Sequence, residues 1–436
     1  MKHPILNQQI RLVILRLGIY GEGIGEWEGW TVFVDGVLPG EEVTAAISEV
    51  RKNFLRARLI TSHQTSPHRV KPPCPVFGRC GGCQLMHLSY EEQLKTKQQR
   101  VIDALERIGK INVSVEPCVP SPQELAYRNK IQLPVIDNQM GLYAFRSHDL
   151  VEINQCYIHC GLGEKAFRLV KRLLGQFPKV HLRHVLIKTS VKKGQVLVVL
   201  VTEGKGDPEI AFLAQEILQG LPEIKGVVQN LNSSPGNVIL SKNYQTLAGQ
   251  PFIEDELCGL TFKVSPASFF QVNPPQAENL YLKTLEFCEL TGTEKVLDAY
   301  CGVGTLALIL APHAKEVIGV EQVGEAITDA QDNAKRNGIS NTKFHCAQAE
   351  EFISSLSDLD VAVLNPPRKG CDPAFLDQLA AIKPHRIVYV SCDPATLARD
   401  LATLQGKGYQ VDTAVPFDMF PQTVHVETVV RLTRRP

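Results

Sequence analysis

Lys295-Val-Leu-Asp-Ala-Tyr-Cys-Gly-Val-Gly304, followed at residues 316–321 by Glu-Val-Ile-Gly-Val-Glu, is the stretch whose reading decides the fold. Two more short β-rich runs follow, Val-Ala-Val-Leu-Asn at 361–365 and Arg-Ile-Val-Tyr-Val-Ser at 386–391, and helical segments separate all four. Strand, loop and helix in repetition predict an α/β domain over 256–436 with a doubly wound, mostly parallel sheet. Ligands on such sheets sit beyond the carboxyl ends of the strands, so the residues just after each run are the ones to read.

After the first run come Asp298, Tyr300, Gly302 and Gly304, with a helix predicted from Thr305. The two glycines let the backbone approach a ligand, and a helix amino end adds favourable amides. Glu321, nineteen residues after Gly302, closes the next strand. There a carboxylate can accept hydrogen bonds from both hydroxyls of a ribose. A lone Gly-x-Gly is also a common structural turn, and the acidic residues at both strand ends are what separate the two readings. The third glycine of a dinucleotide fingerprint is missing, and Asp298 precedes the glycine pair where it can meet an ammonium group. S-adenosylmethionine therefore fits better than a nicotinamide.

The run 386–391 delivers Cys392-Asp393-Pro394 to the same edge. Asp393 and Pro394 suit the start of a helix, and a thiol at a helix amino terminus is expected to have a lowered pKa. A buried, inert cysteine is the usual alternative. Carbon 5 of a pyrimidine is barely nucleophilic; a thiolate added at carbon 6 activates it, and a base must then take the proton at carbon 5. The apolar segment 418–427 offers Glu427, with His425 as a competing base. Asn365-Pro-Pro-Arg368 alone would suggest methylation of an exocyclic amine, but Arg368 replaces the aromatic residue of that pattern and Cys392 argues for carbon.

Working outward to the amino end, glycine turns and alternating apolar residues over 1–62, with Val32, Val34 and Val37 as strand positions, predict an OB-like β-barrel. From Arg51 through Tyr90 there are seven basic residues (Arg51, Lys52, Arg56, Arg58, Arg69, Lys71, Arg79) and no Asp or Glu, a strip suited to phosphate although the chain's net charge is zero. Cys74, Cys80 and Cys83 form a C-x5-C-x2-C knot, with Cys156 far downstream. Zinc and an iron-sulfur cluster both accept four thiolates, so ligand type leaves the two open. A helix over 90–110 is expected to start with a Ser89/Glu92 capping box, to carry Leu94, Val101, Ile102, Leu105 and Ile108 on its apolar side, and to pack on the catalytic domain. The rest of 63–255 reads as α+β. With 44% hydrophobic and 21% charged residues and no apolar run near the ~20 residues of a membrane span, the chain is expected to be a cytoplasmic protein of three domains, with monomer as the default for a protein that engages a large RNA.

These residues together resemble the RNA uracil-5-methyltransferase family, and within it the bacterial 23S ribosomal RNA members that carry an iron-sulfur cluster. The glycine-rich 21–29 and VFVDGVLPGE at 32–41 resemble a TRAM domain, and residues 74–97 with INQC at 153–156 resemble a cluster-binding segment. The resemblance implies Cys392 in VSCDPATLARD as nucleophile and Glu427 in MFPQTVHVE as base. It implies Gln271, Tyr300, Glu321 and Asn365 as cofactor contacts and a [4Fe–4S] cluster on Cys74, Cys80, Cys83 and Cys156. Cys160 is a possible substitute for the last of these. The implied substrate is a uridine in 23S rRNA, with tRNA as the alternative. One departure stands out: the family has Asp where this chain has Asn365.

Overall fold

A computed structural model describes residues 3–204, 209–234, 236 and 238–435. Five strands, β1 (Gln9–Leu17), β2 (Gly23–Trp27), β3 (Trp30–Val34), β4 (Glu42–Val50) and β5 (Phe54–Gln64), close into a barrel in the order β1-β2-β3-β5-β4. In β1 the period-two pattern sends Ile10, Leu12 and Ile14 inward and Arg11, Val13 and Leu15 outward. The glycines at 23 and 25 are required by close packing: a Cβ at Gly25 would lie 2.6 Å from the Val13 carbonyl oxygen. Val37 is a turn residue, not a strand residue, yet its side chain is fully buried in the barrel core.

The helix predicted over 90–110 is α1 (Tyr90–Ala104), continued by a single π turn to Gly109, after which Lys110 adopts a left-handed conformation. One expectation fails here and another holds only in part. Ser89 occupies the N-cap position but its side chain caps nothing, and Glu92 turns instead toward Lys95 and His68. The apolar stripe is buried at Val101 and Leu105, but Leu94 and Ile102 are only partly buried, Ile108 is exposed, and in the first half of the helix Gln93 and Lys97 take the buried places. The second half of α1 joins Leu397, Ala398 and Leu401 in one apolar core. The first half meets a polar partner, which apolar periodicity does not register.

The central sheet runs β12-β11-β10-β9-β6-β7-β8. Its elements are β6 (Lys130–Ile136), β7 (Gln139–Tyr143), β8 (Leu150–Glu152), α2 (Gly161–Leu174), β9 (His184–Ser190), β10 (Gln195–Thr202), α3 (Glu209–Gly220), β11 (Ile224–Leu231) and β12 (Tyr244–Gly249). Helices α2 and α3 cover one face, and a hairpin of β13 (Ile253–Leu257) and β14 (Leu260–Val264) contacts the other through β9 and β10. Val196 to Val201 in β10 are all fully buried because both faces are covered, which explains an unbroken apolar run.

The last domain holds α4 (Pro274–Cys288), β15 (Lys295–Ala299), α5 (Thr305–Leu310), β16 (Glu316–Glu321), α6 (Gly324–Arg336), β17 (Thr342–Cys346), α7 (Ala349–Phe352), β18 (Val361–Leu364), α8 (Pro373–Ile382), β19 (Arg386–Ser391), α9 (Pro394–Gly406), β20 (Tyr409–Phe417) and β21 (Glu427–Arg434). The order is β17-β16-β15-β18-β19-β21-β20, parallel except where β21 runs antiparallel to both β19 and β20. Apolar cores fill both faces, so all four residues of β18 are fully buried. No helix among the described residues is long and apolar enough to cross a membrane.

Candidate active site

The carboxyl ends of β16, β15 and β18 bring together Asp298, Tyr300, Gly302, Gly304, Glu321 and Asn365. The two glycines answer different needs. A Cβ at Gly304 (φ 78°) would stand 2.9 Å from the Phe344 ring, whereas one at Gly302 (φ 56°) would meet nothing within 4 Å. Gly304 is thus fixed by packing, and Gly302 borders space that a ligand can enter. Glu321 accepts from the Gly302 amide at 3.3 Å and the Val323 amide at 3.0 Å, which ties the glycine turn to the neighbouring strand. The Asp298 carboxyl is buried with no well-aligned hydrogen-bond partner for either oxygen, and burial, seconded by the Glu321 charge, pushes it up to about 7 despite the Ala307 amide. A buried carboxyl without a well-aligned donor suits a ligand that brings hydrogen-bond donors or positive charge.

Tyr300 itself has a positive φ of 66°, and its hydroxyl donates to Glu350 at 3.1 Å. Gln271 comes from the loop before α4, is buried, and hydrogen-bonds Tyr281. The Asn365 amide donates to the Ala299 carbonyl at 3.4 Å, joining the ends of β18 and β15. Glu350 and Tyr281 carry no motif of their own, and only their places in space bring them to this edge.

On the other half of the sheet, Cys392 follows β19 and Glu427 opens β21. The antiparallel register pairs Ser391 with Thr428, so one further step sets Cys392 beside Glu427. Asp393 caps α9 as expected, accepting from the Ala395 and Thr396 amides at 2.9 and 3.0 Å. The expected low thiol pKa is not found. Burial pushes Cys392 up to about 11, the Glu427 charge pushes the same way, and the Arg368 guanidinium opposes them. The helix end cannot compensate because Asp393 already takes its free amides. Burial also pushes Glu427 up to about 8, with Arg368 again pulling down. His425 is driven to about 4, first by burial and then by Arg368, Arg100 and Lys97, so it is neutral at neutral pH. Arg368 is the one cation acting on all three groups, a role that the sequence pattern did not disclose.

Cys74, Cys80, Cys83 and Cys156 line one cavity of about 40 Å³ with Phe77, Met86 and Ile158. Cys160 is not part of that lining; it precedes α2 and is buried. Among the described residues no group of three or more His, Cys, Asp or Glu side chains is gathered so as to hold a metal ion. Three of the seven basic residues of the strip pair with two acids from outside it: Arg51 and Arg56 share Glu49, and Arg69 meets the buried Glu41. A larger cleft, of about 640 Å³, runs between β1 and α1 to the start of α9 and is lined by Arg16, Arg100, Arg107, Leu15, Ile19 and Pro394.

Comparison with known proteins agrees with this geometry. A TRAM domain matches residues 6–60, and the tRNA (Uracil-5-)-methyltransferase family matches residues 89–435. An "uncharacterized RNA methyltransferase" of Clostridium tetani is 42% identical over 98% of this chain and 96% of its own length. Another, of Halalkalibacterium halodurans, is 42% identical over 98% and 97%. The crystal structure of Pyrococcus abyssi tRNA (uracil-54, C5)-methyltransferase in complex with S-adenosyl-L-homocysteine superposes with a TM-score of 0.79 at 30% identity, covering 97% of this chain and 100% of that one. A family match over residues 89–435, a TRAM match before it and 42% identity along nearly the whole length make this chain a member of the tRNA (uracil-5-)-methyltransferase family, an S-adenosylmethionine-dependent RNA (uracil-5-)-methyltransferase carrying an amino-terminal TRAM domain.

Proposed function

We propose that the enzyme methylates a uridine through a covalent adduct between the Cys392 sulfur and carbon 6, with Glu427 as the base that removes the proton from carbon 5. The observation that carries this reading is the β19/β21 register, which sets the thiol and the carboxyl side by side under the Arg368 charge. As the sulfur bonds to carbon 6, the electron pair of the C5=C6 bond moves toward oxygen 4 as an enolate. S-adenosylmethionine, when bound, supplies an electrophilic methyl group to carbon 5. Glu427 then takes the carbon 5 proton, the C5=C6 bond reforms, and the thiolate leaves. The Cys392 thiol gives its proton to water before addition, and Arg368 stabilises the resulting thiolate then and again after expulsion. The unpartnered Asp298 suits the ammonium of the cofactor and Glu321 its ribose hydroxyls, with Gln271, Tyr300, Gly302, Gly304 and Asn365 as further contacts. Asn365 can donate or accept hydrogen bonds but supplies no charge.

RNA would enter the cleft between β1 and α1, which ends beside Pro394, two residues from Cys392. Lys52, Arg58, Lys71 and Arg79, which meet no carboxylate among the described residues, would hold its phosphates. Cys74, Cys80, Cys83 and Cys156 would hold a [4Fe–4S] cluster. The four line one cavity, which supports a shared bound group; the family resemblance favours the cluster, with zinc as the alternative. Such a cluster would tie the knot to the central domain, and the methylation requires no redox step. The favoured substrate is 23S rRNA in the cytoplasm, with the protein acting as a monomer. The tRNA alternative rests on what the Pyrococcus abyssi protein is named for.

The test is to incubate anaerobically purified enzyme with labelled S-adenosylmethionine and unmodified ribosomal and transfer RNA, then to identify methylated nucleosides by mass spectrometry. 5-Methyluridine in one RNA class supports the reading and names the substrate. A methylated amine, or full activity in Cys392→Ala, would overturn it.

A further inference from the structure

The nine residues between β20 and β21, Asp418 to Val426, form a strap that ends at Glu427, and the strap is held almost entirely from outside its own domain. Lys97, 1% exposed, pairs with the fully buried Asp418 and also donates to the Phe420 carbonyl at 3.1 Å. The Tyr127 hydroxyl donates to the Pro421 carbonyl at 3.0 Å. Gln93 and Gln422 bond reciprocally: the Gln422 amide donates to Gln93 Oε1 at 3.0 Å, and Gln93 Nε2 donates to Gln422 Oε1 at 3.1 Å. The Gln84 and Leu85 amides both donate to the Gln422 carbonyl, at 3.0 and 2.9 Å, and Arg100 donates to the Val424 carbonyl at 2.7 Å. Gln422 sits at φ 70°, a conformation that a non-glycine residue keeps only where its surroundings fix it.

A buried ion pair gains little stability, because desolvation offsets its attraction; what it supplies well is register. Lys97 is buried along with Gln93 on the face of α1 where the sequence would have placed apolar residues, and both point their polar ends at the strap. We propose that Lys97 and Gln93 are positioning residues for proton removal: through the strap they hold the Glu427 carboxyl against carbon 5, so the step they govern is release of the methylated base. Thiol addition and methyl transfer depend on Cys392 and the cofactor edge, neither of which the strap carries. The inference rests on the assignment of Glu427 as the base.

The experiment uses the full-length enzyme with the RNA it methylates. Gln93→Ala and the double variant Lys97→Met/Asp418→Leu, which removes both buried charges together, are compared with wild type and Glu427→Gln. Two quantities are read in single turnover: methyl-labelled RNA held in a denaturation-resistant, protease-sensitive adduct, and 5-methyluridine released. Misplacing a catalytic group by about 1 Å costs about 100-fold in rate. Folded strap variants are therefore expected to release product about 10- to 100-fold more slowly while labelled adduct accumulates. Wild-type release without adduct in a folded variant would overturn the inference, as would loss of adduct formation together with release. Adduct in Glu427→Gln but not in the strap variants would sink this inference alone, whereas no adduct in Glu427→Gln would remove the base assignment and the inference with it.

Discussion

The two halves of the catalytic sheet are built in different ways. The cofactor half, β15 and β16, draws its turn from one run of ten residues and its carboxylate from the end of the next strand. The other half, β19 to β21, assembles Arg368, Cys392 and Glu427 from three separate stretches, and the strap before Glu427 is held by Lys97 and Gln93, more than 320 positions from Asp418 and Gln422. Local geometry is enough for a cofactor that is recognised by backbone and short side chains. A nucleophile and a base must be desolvated and tuned together, which only tertiary packing can do.

The sharpest way to break the comparison is to damage one half and look for an effect on the other. Cys392→Ala is expected to lower 5-methyluridine formation by about 10⁴-fold or more while calorimetric binding of S-adenosylmethionine stays unchanged. If cofactor binding fell as well, the halves would not be separable. Glu427→Gln should slow product release by about 10²- to 10⁴-fold, the usual worth of a general base, and trap methylated adduct. On the cofactor side, Asp298→Asn removes a charge-assisted hydrogen bond of roughly 1.5–3 kcal/mol, so the Kd for S-adenosylmethionine should rise by about 10- to 100-fold with adduct chemistry intact at saturation. A change confined to kcat would count against that role.

Smaller effects sharpen the picture. Glu427 must be ionised to act and its carboxyl stands near 8, so adduct breakdown should rise with pH toward about 8 and level above it. Arg368 holds that value down, so Arg368→Met should move the midpoint to higher pH. The same raised value means that folding stability contributed by neutral Glu427 is full below the unfolded carboxyl range and is lost as pH rises through about 8. Smallest of all, replacing Lys52, Arg58, Lys71 or Arg79 by Ala should each reduce the slope of log affinity for RNA against log salt by about 0.7, the single-strand value for one phosphate contact. The same change at Arg69, already paired with Glu41, should leave the slope nearly untouched.

Sequence reading went furthest where the chain is periodic or its spacing is short. Alternation in β1 and the turn glycines announced a barrel, and four apolar runs announced a parallel sheet buried on both faces. It went astray where partners are distant. The apolar stripe of α1 marked the buried face at Val101 and Leu105 but not in the first half of the helix, where Gln93 and Lys97 are buried against Gln422 and Asp418. The capping box at Ser89 did not form. The basic strip has two of its seven charges offset by Glu41 and Glu49, which precede it in the chain and pair with three of its residues. The thiol pKa went opposite to the helix-end expectation, since burial and Glu427 outweigh amides that Asp393 has already taken.

The barrel, the parallel sheet and the glycine turn were legible in the sequence because they follow from backbone preference and from neighbours a few residues apart, and side-chain chemistry with the family resemblance nominated the thiol and the carboxyl. Only the tertiary structure decided how basic Glu427 is, how reluctant Cys392 is to ionise, which cysteines share a cavity and what holds the strap. Each of those depends on how much water is excluded and on which charges come near from elsewhere in the chain, and neither quantity is local.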